Sequence, residues 1–245
     1  MSADEPADDR MAGTPGSAKW AEEIRMLRDA PPDRRRTALF RVADAGRRVL
    51  HGLVQTSAPE EVIEAAADDL ESAAARFEQY EAKSMYEGFA ESANAGGVFG
   101  FFDHSPMIGR ANPLAPPIVL QQVDDHLEGV ATFGAAYEGP PGCVHGGYVA
   151  AAFDEVLGAT QSLSGAPGMT GRLTVSYRAP TPLKQELRFV GRLVSVDGRK
   201  ILTEGQLFAG EQLCAEAEGL FISMQPEKFA ALKEMREKSF GTPEG

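Results

Sequence analysis

Cysteine and basic charge are scarce in this sequence, and each scarcity excludes a class of protein. Cys143 and Cys214 are the only cysteines in 245 residues, too few and too far apart for a disulfide framework or a zinc site. The net charge of −12 disfavours non-specific nucleic-acid binding, because such binding needs a basic surface. We therefore expect free thiols in a reducing compartment and no nucleic-acid partner.

Long apolar runs are lacking as well. No segment reaches the about 20 consecutive apolar residues of a membrane-spanning helix. The N-terminal stretch MSADEPADDRMAG is acidic and has no apolar core of the kind that signal peptides contain. With 43% hydrophobic and 24% charged residues, the composition is typical of a globular protein. These features predict a cytoplasmic protein without a membrane span.

Motifs for common cofactors and nucleophiles are also absent. The sequence has no GxGxxG after a strand, no P-loop and no GxSxG. His104 has no metal-ligand spacing to another His or Cys. Dinucleotide-binding, nucleoside-triphosphate-binding and serine-hydrolase functions are therefore disfavoured, and we expect no metal.

The most informative segment that is present reads GCVHGGYVAAAFDEVLGAT, over residues 142–160. His145-Gly146-Gly147 precedes a helix that is apolar on every side except for Asp154 and Glu155, and such a helix is typically buried. The first N–H groups of a helix lack internal partners and stabilise a carbonyl oxygen that becomes negative. Buried carboxylates are costly, so these two are either compensated structural groups or functional ones.

The spacing between the two ends of this helix predicts a dimer. At about 100° and about 1.5 Å per residue, Asp154 lies about 180° around and about 13 Å along from His145. One helix therefore cannot bring both ends to a small substrate. Two antiparallel copies can, and they would form two equivalent sites at a two-fold interface.

The N-terminal third is predicted to be helical. Residues 1–17 are expected to be a disordered tail, and 18–95 a helical extension with apolar stripes over 33–54 and 59–82. Ser57 and Glu60 resemble a capping box for the second helix. We expect the stripes to pack on the main domain or on a partner chain, and the arginine run of the first helix to form a solvated face.

Residues 96–225 are predicted to form an α+β domain with the hotdog architecture. Strands are predicted over 118–123, 129–136, 171–178, 184–196, 200–209 and 212–223. The turns between neighbouring strands are assigned to Asp124-Asp125-His126, Asp197-Gly198 and Gly210-Glu211. A single apolar helix needs a sheet curled around it to bury every face. A last helix is predicted over 226–238, within a C-terminal segment 226–245.

Several linked motifs resemble one known family. They are Gly139-Pro140-Pro141-Gly142 before His145-Gly146-Gly147, Asp154 nine residues after the histidine, Thr170 sixteen after the aspartate, Tyr177-Arg178-Ala179-Pro180, and Gly198-Arg199-Lys200. In these segments the chain is similar to the hotdog-fold acyl-CoA thioesterases of the PaaI-like group. The resemblance covers about residues 100–225.

This resemblance implies hydrolysis of an acyl-CoA thioester to a free acid and coenzyme A, with no cofactor beyond the coenzyme A of the substrate. Asp154 would be the nucleophile or general base, Gly146 with Gly147 would hold the thioester oxygen, and Thr170 would orient water or the carboxylate. Coenzyme A contacts are expected at Ser176, Arg178, Arg199 and Lys200, whose chemistry suits phosphate and pantetheine groups. The implied assembly is a homodimer or a dimer of dimers.

Some assignments have alternatives at this point. His145 either contacts the ligand or only caps the helix, and Glu155 is a second candidate acid. Gly139 stands where some members of the group have an asparagine that contacts the thioester. A non-catalytic acyl-CoA-binding or regulatory protein is the second functional hypothesis. A hydratase is disfavoured, since that chemistry pairs an acid with a histidine on the helix and no histidine follows Asp154 there.

Overall fold

The computed structural model describes residues 31–80, 103–166, 168–223 and Met235. The predicted disordered tail over 1–17 lies outside the described residues. So do the predicted C-terminal helix over 226–238, apart from Met235, and residues 81–102 of the chain that leads to the α+β domain. No helix in the described ranges is both long enough and apolar enough to cross a membrane.

Two N-terminal helices are present, as predicted. Helix α1 covers Arg34–Leu53 and helix α2 covers Glu60–Glu78. Asp33 caps α1, and its side chain accepts a hydrogen bond of 2.7 Å from the Arg36 N–H. The capping box predicted for α2 is wrong, because the helix begins after Pro59 and has no side-chain cap.

Six strands form one antiparallel sheet with a single long helix on it. The strands are β1 (Val119–Val123), β2 (His126–Thr132), β3 (Gly168–Tyr177), β4 (Glu186–Asp197), β5 (Lys200–Ala209) and β6 (Gln212–Ser223), and the helix is α3 (Gly146–Gln161). The strand order is β1-β2-β4-β5-β6-β3, with antiparallel neighbours throughout. The predicted hotdog architecture is confirmed, and β3 is an edge strand.

The exact turn positions differ from the predicted ones. His126 pairs with Val123, so the first turn is confined to Asp124 and Asp125, and Asp124 adopts a φ of 51°. Strand β2 ends at Thr132 rather than at 136, and a 3-10 helix covers Ala135–Tyr137.

The β4–β5 turn is also displaced by one residue. Asp197 pairs with Lys200 and is the last residue of its strand, so the turn consists of Gly198 and Arg199. Gly198 has a φ of 56°, a left-handed conformation that glycine adopts at little cost. The predicted turn at Gly210 and Glu211 is confirmed by the pairing of the residues on either side of it.

Helix α3 packs on one face of the sheet and is not enclosed on every side. Phe153, Val156 and Leu157 are fully buried against the sheet. The opposite side of the helix remains partly or fully exposed, along Gly147, Ala151, Asp154 and Gly158. The expectation of a helix buried on all faces is therefore wrong, because the single sheet covers one side of it.

Glycines on the inner face of the sheet allow α3 to approach closely. A Cβ on Gly205 would lie 3.0 Å from Leu157 Cδ2, and a Cβ on Gly219 would lie 2.7 Å from Phe221 Cε2 and 3.3 Å from Leu157 Cδ1. Hydrogen atoms in place of side chains at these positions leave room for the large side chains of the core.

Helix α1 packs against the segment that precedes β1. The Arg36 guanidinium binds the carboxylate of Asp103 through hydrogen bonds of 2.7 and 3.0 Å. Arg47 is buried and donates to the carbonyl of Asn112 at 2.7 Å and to that of Arg110 at 3.0 Å. The expectation that the arginine run is wholly solvated is therefore wrong for Arg36 and Arg47, which hold the helix in place.

Replacing Gly219 with alanine should destabilise the fold. The added methyl group would collide with the ring of Phe221, which is 2% exposed and cannot move without disturbing its neighbours. Overpacking of this kind costs about 1–3 kcal/mol in the free energy of unfolding, measured by urea denaturation.

The matched control is Gly52→Ala in α1. A Cβ at Gly52 meets nothing within 4 Å, so alanine should stabilise this helical position by about 0.5–1 kcal/mol. Equal effects of the two substitutions would contradict the close helix–sheet contact as their cause.

Candidate active site

The start of α3 presents one N–H group without a partner. His145 is the N-cap, and its Nδ1 accepts a hydrogen bond of 3.0 Å from the Gly147 N–H. The capping role considered for His145 is thus the one that the structure shows. The Gly147 donor is occupied, whereas the Gly146 N–H has no hydrogen-bond partner among the described residues.

Tyr177 is a further residue at this site, and it was not predicted. Its hydroxyl donates a 2.7 Å hydrogen bond to the carbonyl oxygen of Gly146. A Cβ on Gly146 would lie 3.2 Å from that hydroxyl oxygen, so glycine is what permits the approach. The sequence contained two signals, the Tyr177-Arg178-Ala179-Pro180 motif and a tyrosine at the end of an otherwise aliphatic strand face. The alternation of Tyr177 with Leu173 and Val175 predicts only that it lies on the apolar face of the strand.

Gly139 is also fixed by its contact with the start of α3. Its N–H donates to the Cys143 carbonyl at 2.9 Å, and a Cβ at this position would lie 2.6 Å from the Cα of His145. Because the obstructing atom belongs to the backbone, an asparagine would not fit here unless the helix start moved. This contact explains the departure from those members of the PaaI-like group that have asparagine.

An open cavity of about 420 Å³ lies beside Gly146. It is lined by Pro140, Cys143, Val144, Gly146, Val149, Tyr177, Arg178, Ala179, Pro180 and Thr181. Most of these side chains are apolar, as in many small-molecule sites, where a few polar groups fix the orientation of the ligand. The cavity can take an apolar group whose polar end reaches the Gly146 N–H.

Asp154 and Thr170 form a hydrogen-bonded pair further along α3. The Thr170 hydroxyl donates to Asp154 Oδ1 at 2.8 Å, and both residues are exposed. The predicted link between them is therefore present as a direct contact.

Plain alternation along this strand predicts that Thr170 lies with a polar set that includes Arg172, Thr174 and Ser176, and a β-bulge makes that prediction wrong. Thr170 pairs with Phe221 and Arg172 with Leu220, so Gly171 is an extra residue in β3. The bulge reverses the alternation of side chains, and Thr170 lies on the same face as Leu173 rather than with the polar set. This face is the one on which α3 packs.

Glu155 faces a different neighbour from Asp154. Ser105 is buried, and its hydroxyl donates to Glu155 Oε1 at 3.1 Å. Burial raises the pKa of Glu155 to about 7, the hydrogen bond from Ser105 opposes that rise, and the nearby charge of Asp154 adds to it. The structure thus separates the two adjacent carboxyl groups, with Asp154 in the open and Glu155 against the segment before β1.

The two parts of the candidate site lie far apart in one chain. Gly146 and Asp154 are separated by eight residues of α3, which corresponds to about 12 Å. Strand β3 contacts both, through Thr170 near one end and Tyr177 at the other. Each chain therefore carries two half-sites at opposite ends of the same strand.

The expected coenzyme A contacts also divide into two groups. Arg178 Nε donates to Glu216 at 2.8 Å, and Ser176 is in register with Glu216 on the neighbouring strand. Arg199 Nε donates to the Ser223 carbonyl at 3.0 Å, at the end of β6 that pairs with the start of β3. Ser176 and Arg178 thus lie near the Tyr177 end, whereas Arg199 and Lys200 lie near the Thr170 end. One chain does not bring these groups together.

Metal ligation is not indicated by the described part of the chain, which contains no group of three or more His, Cys, Asp or Glu side chains able to hold an ion.

Comparison with known proteins identifies the family. The model of the thioesterase superfamily matches residues 141–216. A crystal structure of a thioesterase superfamily protein superimposes with a TM-score of 0.69 and 40% sequence identity, over 79% of this chain and 94% of that one. This chain belongs to the thioesterase superfamily.

Curated relatives of this superfamily member carry a more specific name. The acyl-coenzyme A thioesterase THEM4 of Xenopus laevis is 36% identical over 95 residues, which cover 38% of this chain and 43% of that protein. THEM4 of Bos taurus is 34% identical over 114 residues, which cover 45% of this chain and 47% of that protein. The chain thus spans less than half the length of these two relatives.

The raised pKa of Glu155 predicts a specific pH dependence of stability. A carboxyl group whose folded pKa of about 7 lies above its usual 4.5 binds its proton more tightly in the folded state. The free energy of unfolding should therefore fall as the pH rises from 4.5 to about 7. Over this range the wild type should lose on the order of 3 kcal/mol more than the Glu155→Gln variant does. Glutamine keeps an acceptor for Ser105 and has no charge to bury.

Urea denaturation at a series of pH values measures this difference. The control is Glu211→Gln, at an exposed position in the β5–β6 turn, and its profile should follow that of the wild type. If the Glu155→Gln and wild-type profiles were parallel between pH 4.5 and 7, the burial of this carboxyl would be contradicted.

Proposed function

We propose that this protein hydrolyses acyl-CoA thioesters to a carboxylic acid and coenzyme A. The observation that carries the proposal is the Gly146 N–H, which lies at a helix start beside an apolar cavity and has no hydrogen-bond partner among the residues that the structure describes. A thioester carbonyl at this point can accept that N–H while its acyl chain fills the cavity. The names of the THEM4 relatives support the same substrate class.

The complete site is proposed to form between two copies of the chain. Strand β3 is an edge of the sheet, so one side of its backbone has no strand partner in the described part of the chain. Antiparallel pairing of two β3 strands, centred midway between Thr170 and Tyr177, places Thr170 beside Tyr177 of the partner subunit. Asp154 then faces the partner subunit's Gly146, and the two-fold axis generates two equivalent sites.

The same pairing accounts for the divided basic residues. Arg199 and Lys200 of one subunit approach the end of the site to which the partner contributes Ser176 and Arg178. Because Arg178 is already paired with Glu216, Arg199 and Lys200 are the stronger candidates for the phosphates of coenzyme A. Local positive charge of this kind suits an anionic substrate on a chain whose net charge is −12.

In the proposed reaction, the free carboxylate oxygen of Asp154 takes a proton from water while the water oxygen attacks the thioester carbonyl carbon. The developing oxyanion accepts the hydrogen bond from the Gly146 N–H. Collapse of the tetrahedral intermediate breaks the C–S bond, and the proton passes from Asp154 to the departing thiolate. Thr170 holds Oδ1 of Asp154, so that Oδ2 faces the substrate.

Asp154→Asn should reduce kcat for an acyl-CoA by about 10³-fold or more, because an amide can neither accept the proton nor attack the carbonyl. The measurement is release of coenzyme A followed with a thiol reagent. Glu155→Gln is the matched control on the same helix and should retain most of the activity. Wild-type turnover by Asp154→Asn would overturn the assignment, and tight acyl-CoA binding without turnover in the wild type would favour the non-catalytic alternative.

A single turnover in ¹⁸O-water then separates the two roles open to Asp154. If Asp154 is a general base, the oxygen atom added to the product comes from water, so the carboxylic acid contains ¹⁸O from the first turnover. As nucleophile it forms a mixed anhydride, and hydrolysis at the Asp154 carboxyl carbon transfers an ¹⁶O of Asp154 to the first product molecule and leaves ¹⁸O on the enzyme.

Mixing two inactive variants tests the shared site. Asp154→Asn removes the acid, and Gly146→Val places a branched side chain against Tyr177 at the other half-site. In a mixed dimer one of the two sites keeps both intact halves, so random mixing of the subunits should restore about a quarter of wild-type activity. Unfolding and refolding the variants together supplies the exchange. No recovery from a demonstrably mixed dimer would contradict a site built from two chains.

The compartment remains a separate prediction. Cys143 and Cys214 are free thiols in the structure, which is compatible with the reducing, cytoplasmic location that we propose.

A further inference from the structure

The last turn of α1 contacts the 3-10 helix that precedes the start of α3. His51 lies in that turn, and its Nδ1 accepts a hydrogen bond of 3.1 Å from the N–H of Ala136 in the 3-10 helix. The imidazole lies directly against Gly134, where a Cβ would be 2.6 Å from its Cε1 atom. His51 is half-buried, so these contacts hold the ring while protons from solvent still reach it.

Tyr137 connects the same 3-10 helix to the start of α3. Its carbonyl oxygen accepts a 2.8 Å hydrogen bond from the N–H of His145, the residue before Gly146. Its ring makes edge contacts with the rings of His51 and Tyr148, with centroid distances of 5.5 and 4.9 Å. Tyr148 is the third residue of α3. Tyr137 therefore contacts both the end of α1 and the first turn of the helix that carries the candidate site.

Further contacts leave Tyr137 little room to move. It is 3% exposed, its hydroxyl donates to the carbonyl of Leu114 at 2.8 Å, and its ring packs edge-on against Phe133 at 5.3 Å. Densely packed groups pass a displacement on to their neighbours instead of absorbing it. A shift of the 3-10 helix at Ala136 should therefore move the peptide group between His145 and Gly146.

The hydrogen bond from Ala136 requires one charge state of His51. An imidazole nitrogen accepts a hydrogen bond only when it carries no proton, so this contact assigns the neutral ring, with its proton on Nε2. Protonation of Nδ1 would replace the acceptor with a donor that faces the Ala136 N–H, and the hydrogen bond would be lost.

The surroundings of His51 favour the neutral form. Arg47 of α1 and Lys184, in the connection between β3 and β4, bring positive charge towards the imidazole, and the phenol of Tyr137 is the titratable group that packs on the ring from the 3-10 helix. Burial, followed by the charges of Arg47 and Lys184, lowers the pKa of His51 below its usual 6.5. The hydrogen bond is therefore present at neutral pH and is lost under acidic conditions.

We propose that neutral His51 is a positioning residue for the Gly146 N–H and acts on it through Ala136 and Tyr137. This inference rests on the proposed function, in which that N–H donates to the developing oxyanion. Such a donor must lie within about 2.7–3.1 Å of the oxyanion, and misplacement by about 1 Å costs about 10²-fold in rate. Because this interaction strengthens in the transition state, loss of the His51 contact should lower kcat far more than it changes KM.

Two substitutions separate the hydrogen bond of His51 from its charge. His51→Asn places an amide oxygen near the position of Nδ1 and cannot gain a proton, whereas His51→Leu keeps much of the bulk and has no acceptor. At pH 8, with an acyl-CoA as substrate, His51→Asn should retain at least about half of the wild-type kcat, and His51→Leu should lose about tenfold with KM changed less than about twofold. An equal loss in both variants, or no loss in His51→Leu, would overturn the proposal.

The pH profile is a readout that a merely structural role would not move. Asp154 is present in both the wild type and His51→Asn, so the ratio of their kcat values isolates the titration of His51. The ratio of His51→Asn to wild type should rise from about 1 at pH 8 to at least about threefold at pH 5, because only the wild type loses its acceptor. A ratio that stays constant would contradict the role of the neutral ring.

The matched control for the pH profile is His126→Asn. This histidine is the first residue of β2 and lies beside Asp125 and Glu128. Its profile should follow that of the wild type, and a change equal to that of His51→Asn would contradict a specific role of His51.

Gly134→Ala tests the same contact from the other side. Gly134 has a φ of −89°, which alanine adopts without strain, so the added methyl group should displace the His51 imidazole and lower kcat as His51→Leu does. In a His51→Ala chain the same substitution should change kcat less than about twofold, since no ring is left to displace. Independent effects of the two substitutions would contradict the contact as their cause.

NMR spectroscopy of the chain without substrate tests the positioning apart from the activity. In the wild type the Gly146 amide resonance should shift with the same midpoint as the His51 imidazole, and this step should be missing in His51→Asn. If the step is present and the wild type releases no coenzyme A, the proposed function fails and the positioning stands. If coenzyme A is released and the Gly146 amide does not respond to His51, the positioning fails and the proposed function stands.

Discussion

The rest of this structure depends on one constraint, the close packing of α3 against the sheet. The sheet permits that packing because glycines replace larger residues on the face that α3 contacts. Gly205 and Gly219 leave space that Phe153 and Leu157 of the helix, together with Phe221 of the sheet, occupy. Close contact of this kind fixes the height and rotation of the helix, since protein interiors are densely packed and deform little. The two ends of α3, which carry the candidate site residues, therefore have defined positions.

Strand β3 connects the two ends of that fixed helix at which the candidate site residues lie. It runs beside α3 and contacts it twice, through the hydroxyl of Thr170 at Asp154 and the hydroxyl of Tyr177 at Gly146. The first contact orients a carboxylate, and the second holds the peptide group at the helix start. Because the same strand is an edge of the sheet, the surface that organises each half-site is also the surface through which a second copy can supply the other half.

Sequence reasoning located the elements well and the individual contacts less well. The regular alternation of the strands and the apolar content of 146–161 made the hotdog architecture predictable, and the spacing from His145 through Asp154 to Thr170 indicated a candidate site through its resemblance to a known family. The β-bulge at Gly171 and the bond from Ser105 to Glu155 were not predictable, and for the hydroxyl partner of Gly146 the sequence indicated the residue, Tyr177, but not the contact. They depend on register and on contacts between residues up to 50 positions apart, about which local periodicity contains no information.

The contact between Gly139 and His145 has an evolutionary consequence. Because a Cβ at position 139 would lie 2.6 Å from a backbone atom, the sequence cannot acquire an asparagine there by one tolerated substitution. The start of α3 would have to shift first, and that shift would move the Gly146 N–H on which the proposed chemistry depends. Glycine at position 139 and the present place of the Gly146 N–H are therefore expected to change together in evolution or not at all.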